Sequence, residues 1–384
     1  MVSLSIRTKG GEEMKKLFLL LLVVSFVVGF ESWNGHVSIT KSSQKTAVKI
    51  KTTESSIPLS NVAIIPKTIS IIGVGDIMLG SNYPSEKYLP VSGKNILTEV
   101  ENITENSDIT FGNLEGPILT SGGSPKTGKY CFSFRMPDNY VNYLKDARFN
   151  IISLANNHSC DFGKLGRENT MKLLKKNGIK FAGLKEVPYT IFEKDGVKYG
   201  FCAFAPNYSG VMHFDEANKI IKELDSQCDI VIVSFHAGAE GQNYQHITRS
   251  TEYFLGENRG NPYKLARDAI DNGADVVFMS GPHVTRAIDL YKDRFIAYSL
   301  GDFATYGQFN TSGACGISPI IKIIIDKQGK FLRGTIYPIK LIGRGIPVID
   351  ENRAVIKKII DLTKIDIPEA KLIIKDDGTI TRGT

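Results

Sequence analysis

From residue 67 onward, short apolar runs alternate with stretches of helical periodicity. The runs Ser70-Ile-Ile-Gly-Val-Gly75, Asp108-Ile-Thr-Phe111, Asn150-Ile-Ile-Ser-Leu-Ala155, Asp229-Ile-Val-Ile-Val-Ser-Phe235 and Asp275-Val-Val-Phe-Met279 are rich in β-branched residues and apolar at successive positions. A strand with one wet face alternates apolar and polar side chains, so runs of this kind predict strands covered on both faces. Helical patterns fall at 138–148, 164–177, 215–226 and 262–272. Two of them stop at Asn177-Gly178 and Asn272-Gly273, residues that tolerate the left-handed conformation after a helix. Asp195-Gly196, Lys292-Asp293 and Gln328-Gly329 sit between strand-like runs and predict hairpins. The pattern predicts a layered α/β fold that mixes βα units with antiparallel hairpins. Residues 350–384 predict one helix and one short strand at 371–375 packed on the same body, which extends over 67–345.

The first residues read differently. Lys15 and Lys16 precede an uncharged apolar run at 17–30, the charged and apolar regions of an export signal. As a helix this run would be about 21 Å long at 1.5 Å per residue, short of the roughly 30 Å hydrocarbon core. A cleavable signal is expected, with an uncleaved anchor as the alternative. Lys9-Gly-Gly-Glu-Glu-Met14 resembles a translated ribosome-binding site, which would make Met14 the start. Residues 31–66, rich in Ser, Thr and Lys, predict a flexible spacer. The expected location is the outer face of the cytoplasmic membrane or the periplasm.

Composition narrows the function classes. With 42% hydrophobic and 23% charged residues, the 384-residue chain can bury a sizeable core. Its net charge of +7 comes from Lys and Arg scattered among acids, which gives no basic stripe for nucleic acid. The five cysteines form no CxxC pair, so no zinc ribbon is suggested, and spacing alone selects no disulfide.

Polar residues gather where the predicted strands end. They are Asp76, Asn113 and Glu115, the run Asn156-Asn157-His158, His236 and His283. In open α/β sheets ligands bind beyond the carboxyl ends of the strands. Carboxylates, an amide and imidazoles together suit Mn, Fe, Zn or Mg. Arg259, in a polar loop, has the guanidinium fork that matches phosphate or carboxylate. Asp302 ends a further strand, Ser299-Leu300-Gly301-Asp302-Phe303. Both are candidates for substrate contact, as is Asn113. His36, His213 and His246 have no partner motif and are taken as surface or core residues, and Cys160 has no base motif beside it.

The motifs GVGDIMLG, NLEGPI, LANNHSCDFG, SFHAGAE, GADVVFMSGPHV and IAYSLGDF occur in that order over about residues 69–305. They resemble the CapA-type poly-γ-glutamate synthesis family, itself similar to the calcineurin-like metallophosphoesterases. That resemblance implies a four-layer α/β/β/α sandwich with the site on one edge of two sheets. By motif position, Asp76 would be a metal carboxylate and Glu115 or Asn113 the bridging position. Asn157 would be an amide ligand, His236 and His283 imidazole ligands, and His158 the group that handles a proton on the leaving oxygen. The metallophosphoesterase pattern Asp-x-His is here Asp76-Ile77-Met78, and Gly-His-x-His is reduced to His283 alone, so one ion is expected more than two. Two functions follow: a metal-dependent hydrolase or transferase on a phosphoester or anionic polymer of the envelope, or a non-catalytic assembly factor for such a polymer. Either would work alongside a membrane capsule-synthesis complex.

Overall fold

The computed structural model describes residues 68–128 and 132–383. The expected export signal, the start at Met14, the spacer, His36 and Cys131 lie outside the described residues. Along the chain the strands are β1 (Ile69–Met78), β2 (Ile109–Leu114), β3 (Ile151–Ser153), β4 (Lys180–Ala182), β5 (Tyr189–Lys194), β6 (Val197–Phe204) and β7 (Ile230–His236). A small hairpin, β8 (Tyr253–Phe254) and β9 (Glu257–Asn258), precedes β10 (Val276–Ser280), β11 (Ile288–Tyr291), β12 (Arg294–Ala297) and β13 (Asp302–Thr305). The last are β14 (Ile317–Ile325), β15 (Phe331–Ile342), β16 (Ile346–Ile349), β17 (Leu372–Ile374) and β18 (Thr379–Arg382).

These strands form two large sheets. One runs β17-β18-β15-β14-β1-β2-β3-β4, with β13 added beside β1 and β16 beside β15; the other runs β11-β12-β10-β7-β6-β5. Parallel pairs form the block β1-β2-β3-β4 at one end of the larger sheet and β6-β7-β10-β12 in the smaller. The predicted hairpins β5-β6, β11-β12 and β14-β15 are antiparallel; β5 and β11 edge the smaller sheet, whereas β14-β15 lies inside the larger one. The sheets face each other: the rings of Phe111 on β2 and Phe278 on β10 stack with centroids 5.4 Å apart. That contact explains why both strands lack a polar face, since each is covered by the other sheet and by helices.

Helices complete the sandwich. Leu144 of helix Val141–Asp146 and Leu174 of helix Gly163–Lys176 join the core of the larger sheet. Helices Ala217–Asp225 and Pro262–Asp271 pack on the smaller sheet. The second of these shows how its sequence makes it a helix. Asn261 caps it by accepting from the Lys264 amide at 3.0 Å, Pro262 opens it, and Pro262, Ala266, Ala269 and Ile270 form its buried stripe. Gly273, with φ +110, ends it. The result is the four-layer α/β/β/α order. Helix Ala354–Asp366 packs across β14, β15 and β11. The strand expected at 371–375 is β17, and it pairs with β18, which has no sequence pattern strong enough to predict it. Cys160, Cys202, Cys228 and Cys315 are free thiols, so no disulfide occurs among the described residues.

A buried ion pair fixes the long connection between β7 and the helix after it. Arg286 is fully buried, and its guanidinium donates from Nη1 to Glu252 Oε1 at 3.0 Å and from Nη2 to Glu252 Oε2 at 2.8 Å. It also donates to the Tyr244 and Ala239 carbonyls. Glu252 in turn accepts from the Ala239 amide, and backbone bonds join Glu252 to Arg259 and Gly260. Removing one partner leaves a buried charge without compensation, at a cost of about 3–5 kcal/mol. Arg286→Ala is therefore expected to lower unfolding stability by about that amount, which urea denaturation measures; a change under about 1 kcal/mol would show that water solvates this pair.

Candidate metal centre and catalytic residues

The centre is built where β1 meets β13. Asp76 and Asp302 are register partners on these parallel strands, and the Asp76 amide donates to the Gly301 carbonyl at 2.9 Å. The approach is so close that a Cβ on Gly75 would lie 1.8 Å from the Gly301 oxygen. Each strand therefore carries Gly before Asp at the crossing, and the two carboxylates arrive side by side. Asp302, a candidate for substrate contact from sequence, is placed instead against His283: its Oδ1 accepts from His283 Nδ1 at 2.9 Å. His283 has φ +54, a conformation rare outside glycine that aims its ring at this pair.

Asp76, Glu115 and His283 offer ligand atoms that lie within 4.8 Å of one another. His283 Nδ1 is 3.2 Å from Asp76 Oδ2, and its Nε2 is 3.6 Å from Glu115 Oε1. Asn113, also a candidate for substrate contact, supports the centre from behind. It donates to Asp76 Oδ1 at 2.8 Å, accepts from Asn156 Nδ2 at 3.1 Å, and lies 3.5 Å from His236 Nδ1. Asn156 is structural: it also donates to the Leu114 carbonyl and accepts from the His158 amide, so the turn after β3 is fastened to the end of β2. His236 reaches the cluster through Asn113, and its Nδ1 pairs with Ser280 Oγ at 3.1 Å.

Whether the donors suit a cation is answered by what they lack. Asp76 Oδ2, both oxygens of Glu115, Asp302 Oδ2, Asn157 Oδ1 and His236 Nε2 are buried and make no hydrogen bond. Buried polar atoms are almost always satisfied, and those of Asp76 and Glu115 lie in the group whose ligand atoms are within 4.8 Å of one another, which marks a place for a ligand. The protonation states agree. Burial alone would raise Asp76, but the hydrogen bond and charge of His283, with help from His236 and Asn113, hold it below the ordinary carboxylate value. Burial, then the charge of Asp76, pushes Glu115 well above its ordinary value. Burial raises Asp302 to about 6 against the pull of His283. Burial would lower His283, yet the charges of Glu115 and Asp302, with hydrogen bonds to Asp302 and Asp76, raise it well above the ordinary imidazole value. Burial drops His236 to about 3, leaving a neutral imidazole.

A cation held by this cluster would displace protons from Glu115 and His283. With those groups raised, protons compete at low pH and are released on binding. Metal affinity is thus expected to rise with pH through 6 and above, where Asp302 also ionises. Calorimetry in buffers of different ionisation enthalpy measures the released protons; binding that releases none at pH 6 would contradict the donor set.

Beside this cluster, sequence reasoning misses a dyad. His158 Nδ1 lies 2.8 Å from Asp161 Oδ2, and Asp161, fully buried, also accepts from the Phe134 amide and pairs with Lys126 Nζ at 2.6 Å. Lys126 further donates to the Asn157 carbonyl at 3.0 Å. The carboxylate can only accept and so favours the proton on Nδ1, against Lys126 Nζ, 3.2 Å from the same nitrogen, which can only donate; Nε2 lies 3.9 Å from Glu115 Oε1. Burial lowers His158 against the opposing charge of Asp161. The three-residue spacing of His158 and Asp161 in ANNHSCDFG was the available signal, because one helical turn brings such residues together.

Next to His158 opens a cavity of about 760 Å³, lined by Lys126, Asn157, Tyr208, Glu240, Phe254 and Arg259 among others. Arg259 is buried, pairs through Nη2 with Glu240 and through Nε with Glu257 at 3.2 Å, and keeps Nη1 without a hydrogen-bond partner.

The chain matches the family model described as bacterial capsule synthesis protein PGA_cap over residues 70–306. It is similar to the PGA biosynthesis protein CapA of Bacillus subtilis (strain 168), at 29% identity over 249 residues, covering 60% of this chain and 61% of that protein. The capsule biosynthesis protein CapA of Bacillus anthracis is 26% identical over 253 residues, covering 60% and 58%. The aligned part thus spans about three-fifths of the length of these relatives. Among solved structures, the calcineurin-like phosphoesterase YfkN of Bacillus subtilis aligns with a TM-score of 0.39 and 17% identity, covering 79% of this chain and 98% of that one.

Proposed function

Because the chain belongs to the bacterial capsule synthesis protein family, we propose that it acts in capsule synthesis of the poly-γ-glutamate type as an exported, metal-assisted hydrolase or transferase on a cell-envelope phosphoester or anionic polymer. The observation that carries this is the cluster of buried carboxylate, amide and imidazole atoms without hydrogen-bond partners. Asp76, Glu115 and His283 would hold a divalent ion, Mn, Fe, Zn or Mg, with His236 and Asn157 as further donors. Asp302 fixes the His283 ring. A bound ion of this kind supplies a Lewis acid for a phosphoryl or acyl oxygen and favours ionisation of water. Met78, buried in the core, takes by motif position the place of an imidazole in the metallophosphoesterase pattern, which favours one ion over two.

The remaining chemistry belongs to the protein. Asp161 holds His158 in the tautomer whose Nε2 can take a proton from an attacking hydroxyl group and return it to the leaving oxygen. Lys126 neutralises Asp161 and fastens the Asn157 carbonyl, so the turn cannot swing away. Arg259 presents a free N–H to an anionic oxygen of the substrate. A membrane capsule-synthesis complex is the expected setting.

The absent second imidazole also favours the alternative, a non-catalytic factor that binds an anionic polymer. Incubating the metal-loaded full chain with phosphodiesters and with γ-glutamyl amides decides between them. Turnover of either class supports the enzyme; saturable polymer binding with no turnover of either supports the assembly factor.

A further inference from the structure

The cavity beside His158 has walls of two kinds. Lys126, Asn157, His158 and Arg259 supply polar groups, whereas Phe132, Phe254 and Leu255 supply apolar surface. Phe132 and Leu255 are 60% and 72% exposed.

The β8–β9 turn makes that exposure informative. Leu255 has φ +48 and Gly256 has φ +84, so both central residues are left-handed. Such a turn favours Asn-Gly or Asp-Gly, and a leucine is disfavoured at its first position. Nothing in the fold offsets this, because the Leu255 side chain gains little burial. The neighbouring Tyr253 is also 60% exposed. A leucine kept in a strained turn, in water, at the mouth of a cavity, has apolar matter to meet when the cavity is filled.

The polar end of that matter is set by Arg259. Its Nη1 is buried and without a hydrogen-bond partner, and its guanidinium lies 5.7 Å from the Phe254 ring centroid. An anionic oxygen taken by Nη1 therefore brings whatever it carries onto Phe254 and Leu255. Glu240 and Glu257 line the same cavity and both pair with Arg259, while Lys126 pairs with Asp161, so a multiply charged head would be repelled.

We infer that this cavity binds an amphiphile: one phosphate-like head on Arg259 beside His158, with a flexible apolar chain laid over Phe254, Leu255 and Phe132. This rests on the phosphoester form of the function proposed above and narrows it to lipid-like esters.

The test uses the full chain in phospholipid nanodiscs, with inorganic phosphate, methyl phosphate, butyl phosphate and octyl phosphate as probes in binding titrations. A buried methylene strengthens binding by about fourfold. Octyl phosphate is expected to bind at least about 100-fold more tightly than methyl phosphate. Leu255→Asn, which suits the turn and removes the apolar side chain, is expected to cut octyl phosphate affinity about tenfold. Equal affinity for methyl and octyl phosphate overturns the inference and leaves the phosphoesterase reading in place. A chain-length gain that Leu255→Asn leaves undiminished also overturns it, since the gain then comes from the bilayer. If neither phosphate nor any ester binds, both fail together.

Discussion

Replacing His158 by alanine is expected to lower kcat/KM on any substrate the wild type turns over by about 10²–10⁴-fold, the range for a positioned proton-transfer group. Metal content and unfolding stability should change little by comparison. The expectation follows from place: His158 is held by Asp161 and Lys126 rather than by the ligand cluster, and only its Nε2 faces that cluster. Asp161→Asn should reproduce much of the loss, because an amide can present an N–H to the ring and favour the wrong tautomer. Steady-state kinetics on metal-loaded protein measures both. Full activity in His158→Ala would remove His158 from the chemistry.

Neutralising Asp76 is expected to abolish the stabilisation that metal confers. A ligand present at 100 times its dissociation constant stabilises the folded state by about 2.7 kcal/mol. For a domain of this size that amounts to roughly 4 °C in Tm. Asp76→Asn keeps the shape of the side chain but removes one of the anionic oxygens that buried Glu115 and Asp302 flank. Thermal unfolding with and without added Mn or Zn should therefore show the shift in wild type and none in Asp76→Asn. An equal shift in both would place the ion elsewhere.

How much of this was legible in the sequence depends on how local each signal is. The central strands β1, β2, β7 and β10 are readable because a strand covered on both faces has apolar side chains at every position. β13 is displaced from the strand expected at Ser299–Phe303, because Asp302 opens it at the Gly301 crossing rather than ending a strand, and β18 forms only by pairing with β15 and β17. Asp76, Glu115, Asn157, His158, His236 and His283 are visible as polar residues ending apolar runs. The true neighbour of Asp76, however, is Asp302, more than two hundred positions away, and only the Gly75–Gly301 crossing brings them together. Lys126 lies in a Gly-rich loop without periodicity, so its approach to Asp161 has no sequence signature. Asn113 and Asn156 read as ligand or turn residues, whereas the structure places them in a hydrogen-bonded line from Asp76 to the His158 amide. In each case the missing information is tertiary.

The most direct measurement is elemental mass spectrometry of the full chain, produced in metal-supplemented medium, beside Glu115→Gln and His283→Ala. About one equivalent of Mn, Fe or Zn in the wild type, lost in both variants while their folded signals persist, is the result predicted from the donor set. A folded wild type that contains no metal and takes up none when it is added would contradict the metal-assisted function and leave polymer binding as the role of this site.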